Sequence, residues 1–225
     1  MENIKIYQIE IEKDPNKVAF LHYDKAMGIA GKIDPSIYKQ VFLGSLHTAN
    51  NLEDIFMELN AYAHPLLRGH SLSTSDVVVT DEGAFYCDHI GFKKIDFDES
   101  LVNRDEEVNR VVYVEPGQKP FLTEIGKKLE DEQAAVCGMI ELVYNDDDTI
   151  IVCNEEAKLI GMPGNRHYGA GGIIAGPFFV IGDDGEDFRS LTDDEVEKYL
   201  KKYETPEVIS QEEVEEDTGY MIFAY

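Results

Sequence analysis

Two pairs of apolar, β-prone runs are each separated by only a few turn-forming residues, and that spacing restricts the fold more than any other feature. Residues 77–80 (Val-Val-Val-Thr) are followed by Asp81-Glu82-Gly83 and then by a second run over residues 85–92. Residues 139–144 are followed by Asn145-Asp146-Asp147-Asp148 and then by residues 149–153. β-Branched and aromatic side chains suit a pleated, half-buried strand, and Asp, Asn and Gly suit tight reversals. A parallel pair needs a crossover of about a dozen residues or more, so each pair is expected as an antiparallel hairpin. The expected class is α+β: two small domains, each a mainly antiparallel sheet with helices packed on one face.

Further elements follow from local patterns. Residues 4–11 read as an opening strand and residues 38–43 as another, while residues 19–30 are ambiguous because Gly28 and Gly31 interrupt the pattern. Asn50, with Glu53 three residues on, reads as a capping box for a helix carrying Leu52, Ile55, Phe56 and Leu59 inward. In the second half residues 111–114 read as a strand, and Leu122, Ile125 and Leu129 as one face of a helix running to about Glu132. Residues 173–181 read as a single strand interrupted by Gly176-Pro177 at a bulge or edge. Thr192 and Glu195 form the capping box of the last helix, with Val196, Tyr199, Leu200 and Tyr203 inward. Met221-Ile222-Phe223 reads as a closing strand or a docking tail. Acidic residues crowd positions 96–110 with few aromatics, so the expected organisation is a domain over 1–97, an acidic linker over 98–110 and a second domain over 111–225.

Charge narrows the partners. The 225-residue chain carries 20 basic and 45 acidic residues, a formal net charge of −25. The excess is uneven, with a net of −8 over residues 1–110 and −17 over residues 111–225. Nucleic acid is bound by Lys and Arg that displace counterions, so direct nucleic-acid binding is not expected; a basic protein is the natural partner of such a surface. Three widely spaced cysteines, Cys87, Cys137 and Cys153, give neither a disulfide framework nor a zinc knuckle, and reduced thiols in the cytoplasm fit them best. The first residues show no charged leader with an apolar core, and no apolar run is long enough to span a bilayer.

Three groups of residues are candidates for recognition. The first is the polar loop entering the 77–80 strand, with Arg68, His70, Ser71, Ser73 and Asp76; such residues either fix a turn by bonding nearby backbone or present a binding loop on a rigid strand. The second brackets the Gly-rich stretch from Gly161 to Gly176 and comprises Asn154, Glu155, Asn165 and Arg166. That stretch lacks the Gly-Lys-Ser/Thr of a phosphate loop and runs into a strand instead of a helix, so a loop beside a strand is the expectation, with Arg166 paired to Glu155 or Glu156. The third is an acidic face made of Asp183, Asp184, Glu186, Asp187, Glu212, Glu213, Glu215 and Glu216. The histidines lack metal-ligand spacing, residues 145–148 lack the spaced ligands of a calcium loop, and no catalytic triad or cofactor pattern is present. Neither metal nor cofactor is expected.

The RGHSLSTSDVVV run, followed by the 83–92 segment with Asp88, His89, Gly91 and Phe92, resembles the YodL-like domain over about residues 3–97. The VVYVEPGQKP, CNEEAKLIGMPGNR, IIAGPFFVIG and LTDDEVEKYLKKY segments resemble a bacterial domain family of unknown function over about residues 111–205. Both resemblances imply a phage or conjugative-element setting and neither implies catalytic residues. Together with the charge they lead to the expectation of a non-enzymatic interaction protein of a mobile element. It would be an anti-defence factor, directed at restriction or CRISPR effectors, that occupies a basic host protein's nucleic-acid-binding surface. The alternative is a small-ligand binder or enzyme using the 68–76 loop or the Gly-rich loop.

Overall fold

The computed structural model describes residues 1, 3–103, 107–145, 147–169 and 171–222. It divides into two compact units, Met1–Glu106 and Glu107–Tyr225. The fold is α+β, with mainly antiparallel sheets in both.

In the first unit β1 (Ile4–Ile9), β2 (Tyr38–Gly44), β3 (Val77–Thr80), β4 (Gly83–Cys87) and β5 (Phe92–Ile95) form one sheet in the order β2-β1-β3-β4-β5. Every neighbouring pair is antiparallel. The expected 85–92 return strand is two strands. After Cys87 the Asp88 amide bonds the Gly91 carbonyl (2.9 Å), and Gly91 takes a left-handed φ of 68°, so the chain reverses again into β5. The ambiguous 19–30 segment contains α1 (Tyr23–Ala30), which Gly31 ends in the left-handed conformation at φ 74°; the glycine that broke the pattern is the terminator. The second helix, α2 (Leu52–Ala61), is capped one residue later than expected, by Asn51 accepting from the Asp54 amide at 2.9 Å. Asp54 returns the bond to the Asn50 amide.

Alternation sets two buried faces on this sheet. Tyr7, Val77, Ala84 and Tyr86 pack with Ala26 of α1. Ile6, Phe42 and Val78 are register partners on the other face and are fully buried, as are Ile55 and Leu59 of α2. Described residues of the 98–110 segment bond to the first unit. Glu99 accepts from Lys5 Nζ (2.7 Å) and from the Tyr7 hydroxyl, and Asn103 N donates to Tyr38 O (3.0 Å). From Val108 the chain is already a strand of the second unit. One carboxylate of that acidic stretch, Glu99, is anchored by partners some ninety residues away.

The second unit is built on β6 (Val108–Val114), β7 (Phe121–Gly126), β8 (Ile140–Tyr144), β9 (Thr149–Asn154) and β12 (Phe178–Asp183). They are ordered β7-β6-β12-β9-β8, with β13 (Phe188–Arg189) added to β12. The expected helix over 122–132 is instead β7 followed by α3 (Leu129–Ala135). Phe121, Thr123 and Ile125 alternate into the interior, a period of two that the i, i+3 spacing of Leu122 and Ile125 had concealed. The Gly-rich stretch is no loose loop; it holds a hairpin, β10 (Gly164–Tyr168) with β11 (Gly172–Ala175). Residues 173–181 are therefore two strands in two sheets, and Gly176-Pro177 is where the chain passes between them.

The helix α4 (Asp193–Lys202) carries the expected Thr192–Glu195 capping box. It packs Val196, Tyr199 and Tyr203 against Val112, Ile151, Phe178 and Val180. Burying an aromatic such as Phe178 contributes about 2–3 kcal/mol. It is not the last helix, because residues 211–222 form α5 (Gln211–Ile222). Met221 and Ile222 are thus helical and not a closing strand, and Phe223 lies outside the described residues. No helix among the described residues is long and apolar enough to cross a membrane.

Candidate functional site

The loop before β3 is organised by a residue that local reading passed over. Gln8 of β1 is buried, and its Nε2 lies 2.8 Å from His70 O, 3.0 Å from Asp76 Oδ2 and 3.1 Å from His70 Nδ1. Its Oε1 accepts from His70 N at 3.1 Å. Asp76 is 1% exposed, and its Oδ2 also accepts from Ser73 N at 2.8 Å. Burial pushes the Asp76 carboxyl up to about 8, against the opposing pull of the Ser73 and Gln8 bonds. Arg68 donates from its guanidinium to Gln40 O (3.0 Å) and from its amide to Val41 O (3.0 Å). Ser75 holds a left-handed φ of 80°, accepts from Phe20 N through Oγ (2.9 Å) and takes the Tyr38 hydroxyl on its carbonyl (3.0 Å). A Cβ at Gly69 would meet Gln8 Oε1 inside van der Waals distance, so a larger residue there would displace the Gln8 amide from its bonds. Ser71 and the His70 ring reach the surface, the ring leaning on Phe20 with centroids 5.3 Å apart. The loop's polar groups are largely consumed in holding β1, β2 and β3 together.

The second candidate group is consumed as well. Arg166 is 1% exposed and pairs with no carboxylate. Its guanidinium donates to Asn165 O and Oδ1 (both 2.9 Å), Gln118 O (2.7 Å) and Tyr203 O (3.0 Å), while Nε goes without a partner. Glu155 and Glu156 are exposed instead. Burial pulls the guanidinium below its usual range. Asn165 donates to Val114 O and Gly176 O, and Asn154 to Val136 O and Cys137 O. Asn165 and Arg166 thus tie the hairpin to the β6 end and the α4 end, and Asn154 ties the end of β9 to the end of α3.

The acidic residues are placed differently. Asp183 closes β12, and the turn beyond it is fixed by Gly185 N donating to Asp183 Oδ1 (2.9 Å) and Asp184 N to Asp187 O (3.0 Å). Asp183, Glu186 and Asp187 line a cleft of about 560 Å³ together with Lys127, Leu129, Glu132, Leu142, Tyr144 and Phe188. Leu129, Leu142 and Tyr144 are exposed there at 53, 37 and 68%. Glu132 is 7% exposed, and burial, with repulsion from Asp131, pushes its carboxyl up to about 7. Glu212, Glu215 and Glu216 are exposed on α5, away from the residues lining this cleft. Glu213 has a structural role: it accepts from Ser210 N (2.8 Å) and Oγ (2.6 Å), and Ser210 caps α5 in return. A second cavity of about 440 Å³ is lined by Val143, Cys153, Tyr168, Ile173, Ala175 and Thr218 among others. Among the described residues no group of three or more His, Cys, Asp or Glu is placed to hold a metal ion.

Comparison with known families follows the same division. Residues 3–97 match the YodL-like domain, and residues 109–204 match a domain of unknown function, DUF3846. The two halves of the chain are thus similar, in order, to the YodL-like domain and to DUF3846, and are called by those names below. Neither the curated proteins nor the solved structures yielded a match. In the YodL-like domain the quoted Arg68–Val79 run is the loop that Gln8 ties down. In the DUF3846 domain the match ends at residue 204, before α5, so the acidic Glu212–Glu216 segment lies beyond it.

Gln8 and Glu132 were the residues that sequence reasoning missed. For Gln8 a signal existed. It shares strand parity with Ile4 and Ile6, so it is a polar residue on an apolar face. Glu132 stands third among Glu130, Asp131 and Glu132 in the first turn of α3, and nothing local separates the buried one from its exposed or half-buried neighbours.

Proposed function

We propose that this chain is a non-enzymatic interaction protein whose DUF3846 domain engages a basic protein through the acidic cleft. The observation that carries the reading is the composition of that cleft: exposed Leu129, Leu142 and Tyr144 line it together with the carboxylates of Asp183, Glu186 and Asp187. Carboxylates around an apolar surface favour a partner that presents Lys or Arg beside apolar residues. The resemblance to domains of phages and conjugative elements gives that partner a class. It is a nucleic-acid-binding effector of host defence, such as a restriction or CRISPR enzyme, met in the cytoplasm. Acidic side chains would then take the Lys and Arg that otherwise hold phosphates.

The test is capture of host proteins on the immobilised chain at about 0.1 M and 1 M salt, where the screening length falls from about 10 Å to about 3 Å. A nucleic-acid-binding protein retained at low salt, released at high salt and lost on reversing Asp183, Glu186 and Asp187 to Lys is the expected result. Retention that ignores both salt and the reversals would replace this reading with apolar docking.

A further inference from the structure

We infer that the cleft beside α3 is a socket for one lysine or arginine side chain of a partner polypeptide, flanked by apolar residues, with Glu132 as the carboxylate that receives the cation. The inference rests on the reading that the DUF3846 domain docks a basic protein, and it names the residue class that the cleft selects.

Glu132 is the observation that points to a ligand. The residue is 7% exposed and lines the cleft, its carboxyl oxygens keep some access to it, and among the described residues that carboxyl makes no hydrogen bond or ion pair. A buried carboxylate without a partner is costly, and folded proteins seldom retain one. The cation closest to hand does not relieve it: Lys127 lines the same cleft, yet no ion pair joins the two. The polar and charged groups that line the cleft with Glu132 are Lys127 just after β7, Asn109 of β6, Tyr144 of β8, and Asp183, Glu186 and Asp187 at the turn after β12, and Asp131 on its own helix also repels it. Carboxylates outnumber the single lysine, so an incoming cation meets attraction from two elements, α3 and the turn after β12. Exposed Leu129, Leu142 and Tyr144 can cover the alkyl stem, the arrangement in which Lys and Arg bury methylenes and keep the charge on polar groups. The volume, about 560 Å³, lies within the range of about 300–1,000 Å³ typical of ligand sites. It leaves room for the flanking apolar residues. An acidic peptide or nucleic acid would meet like charge at the rim.

Because burial holds the Glu132 carboxyl near 7, a bound cation favours its ionised form. Binding therefore releases a proton near neutral pH and strengthens as pH rises from about 6 to about 8.

Calorimetric titration of the full chain with the blocked peptide acetyl-leucyl-lysyl-phenylalanine amide, and with the same peptide carrying norleucine for lysine, tests the socket. The lysine peptide should bind at least about ten-fold more tightly than the norleucine one. Glu132→Gln should remove most of that difference, leave the norleucine peptide unchanged and flatten the pH dependence. Thermal melting of the variant checks that it is folded; if it is not, Leu142→Ser, at an exposed apolar residue of the cleft, supplies the second variant and should weaken both peptides. Equal binding of the two peptides, or a Glu132→Gln variant that still discriminates and keeps its pH slope, would overturn the assignment. So would n-butylammonium binding as tightly as the lysine peptide, since the flanking residues would then play no part. Failure here with salt-sensitive capture of a basic protein intact removes only the socket. Peptide binding as expected, with no nucleic-acid-binding protein captured, removes only the wider reading.

Discussion

The YodL-like and DUF3846 domains each bury a carboxyl group, and they surround it in opposite ways. Asp76 is met by Gln8 and by the Ser73 amide, within a loop whose other groups bond one another. Among the described residues Glu132 takes no hydrogen bond or ion pair, and it borders an open cleft. The dense polar sequence from Arg68 to Asp76 thus marks a place where hydrogen bonds are satisfied internally. The plainer acidic turn of α3 leaves one group with bonding capacity to spare. Recognition depends on what remains unsatisfied after folding, and the number of polar residues in a stretch is a poor guide to that.

The largest expected effect tests the satisfied class. Arg166→Met removes four donated hydrogen bonds and strands the buried carbonyls of Gln118 and Tyr203. Loss of the order of 3–5 kcal/mol from the DUF3846 domain is expected in urea unfolding followed by circular dichroism. A loss under about 1 kcal/mol would place Arg166 among the unsatisfied groups and blur the contrast.

A middle-sized effect concerns pH. The folded Asp76 carboxyl sits at about 8 against an ordinary value of 3.8. The native state therefore keeps a proton that the unfolded state gives up. Its contribution is most favourable below about pH 4, declines as pH rises from 4 towards 8, and is flat above. Asp76→Asn keeps an acceptor oxygen and cannot ionise, so melting temperatures measured across that range should fall less than in the native chain. Parallel curves would mean that the Gln8 and Ser73 bonds already hold Asp76 ionised.

The smallest effect belongs to the unsatisfied group. Glu132→Gln removes a buried ionisable group that has no partner to lose, so stability at pH 8 should stay within about 1 kcal/mol of the native chain and move upward if at all. A loss above about 2 kcal/mol would show that Glu132 supports the fold, and the comparison of the two carboxyls would end there.

What could be read from the sequence was what short-range geometry decides. The 77–80 and 149–153 hairpins, and the Thr192–Glu195 cap, depend on residues within a few positions of one another. Leu122 and Ile125 misled because one i, i+3 coincidence fits a helix while Phe121, Thr123 and Ile125 alternate as a strand. Gly176-Pro177 showed a break but not that two different sheets lie on either side of it. Arg166 was expected to pair with a nearby carboxylate, yet it found the carbonyls of Gln118 and Tyr203, about forty residues away on either side. The acids at 183–187 were visible as a cluster. The cleft they border also needs α3, β8 and the end of β7, and no local pattern assembles those.

The place of β12 bears on how the chain can be synthesised. It is the late strand between β6 and β9, pairing Val180 with both Val112 and Ile151. Until it emerges from the ribosome, β6–β7 and β8–β9 are two separate hairpins, each with an open edge of unpaired amides and carbonyls. Residues 178–183 act as the keystone, closing both edges at once. Translation that ends before Phe178 yields a nascent chain with two sticky edges following the YodL-like domain, a product for chaperones and proteases to sort.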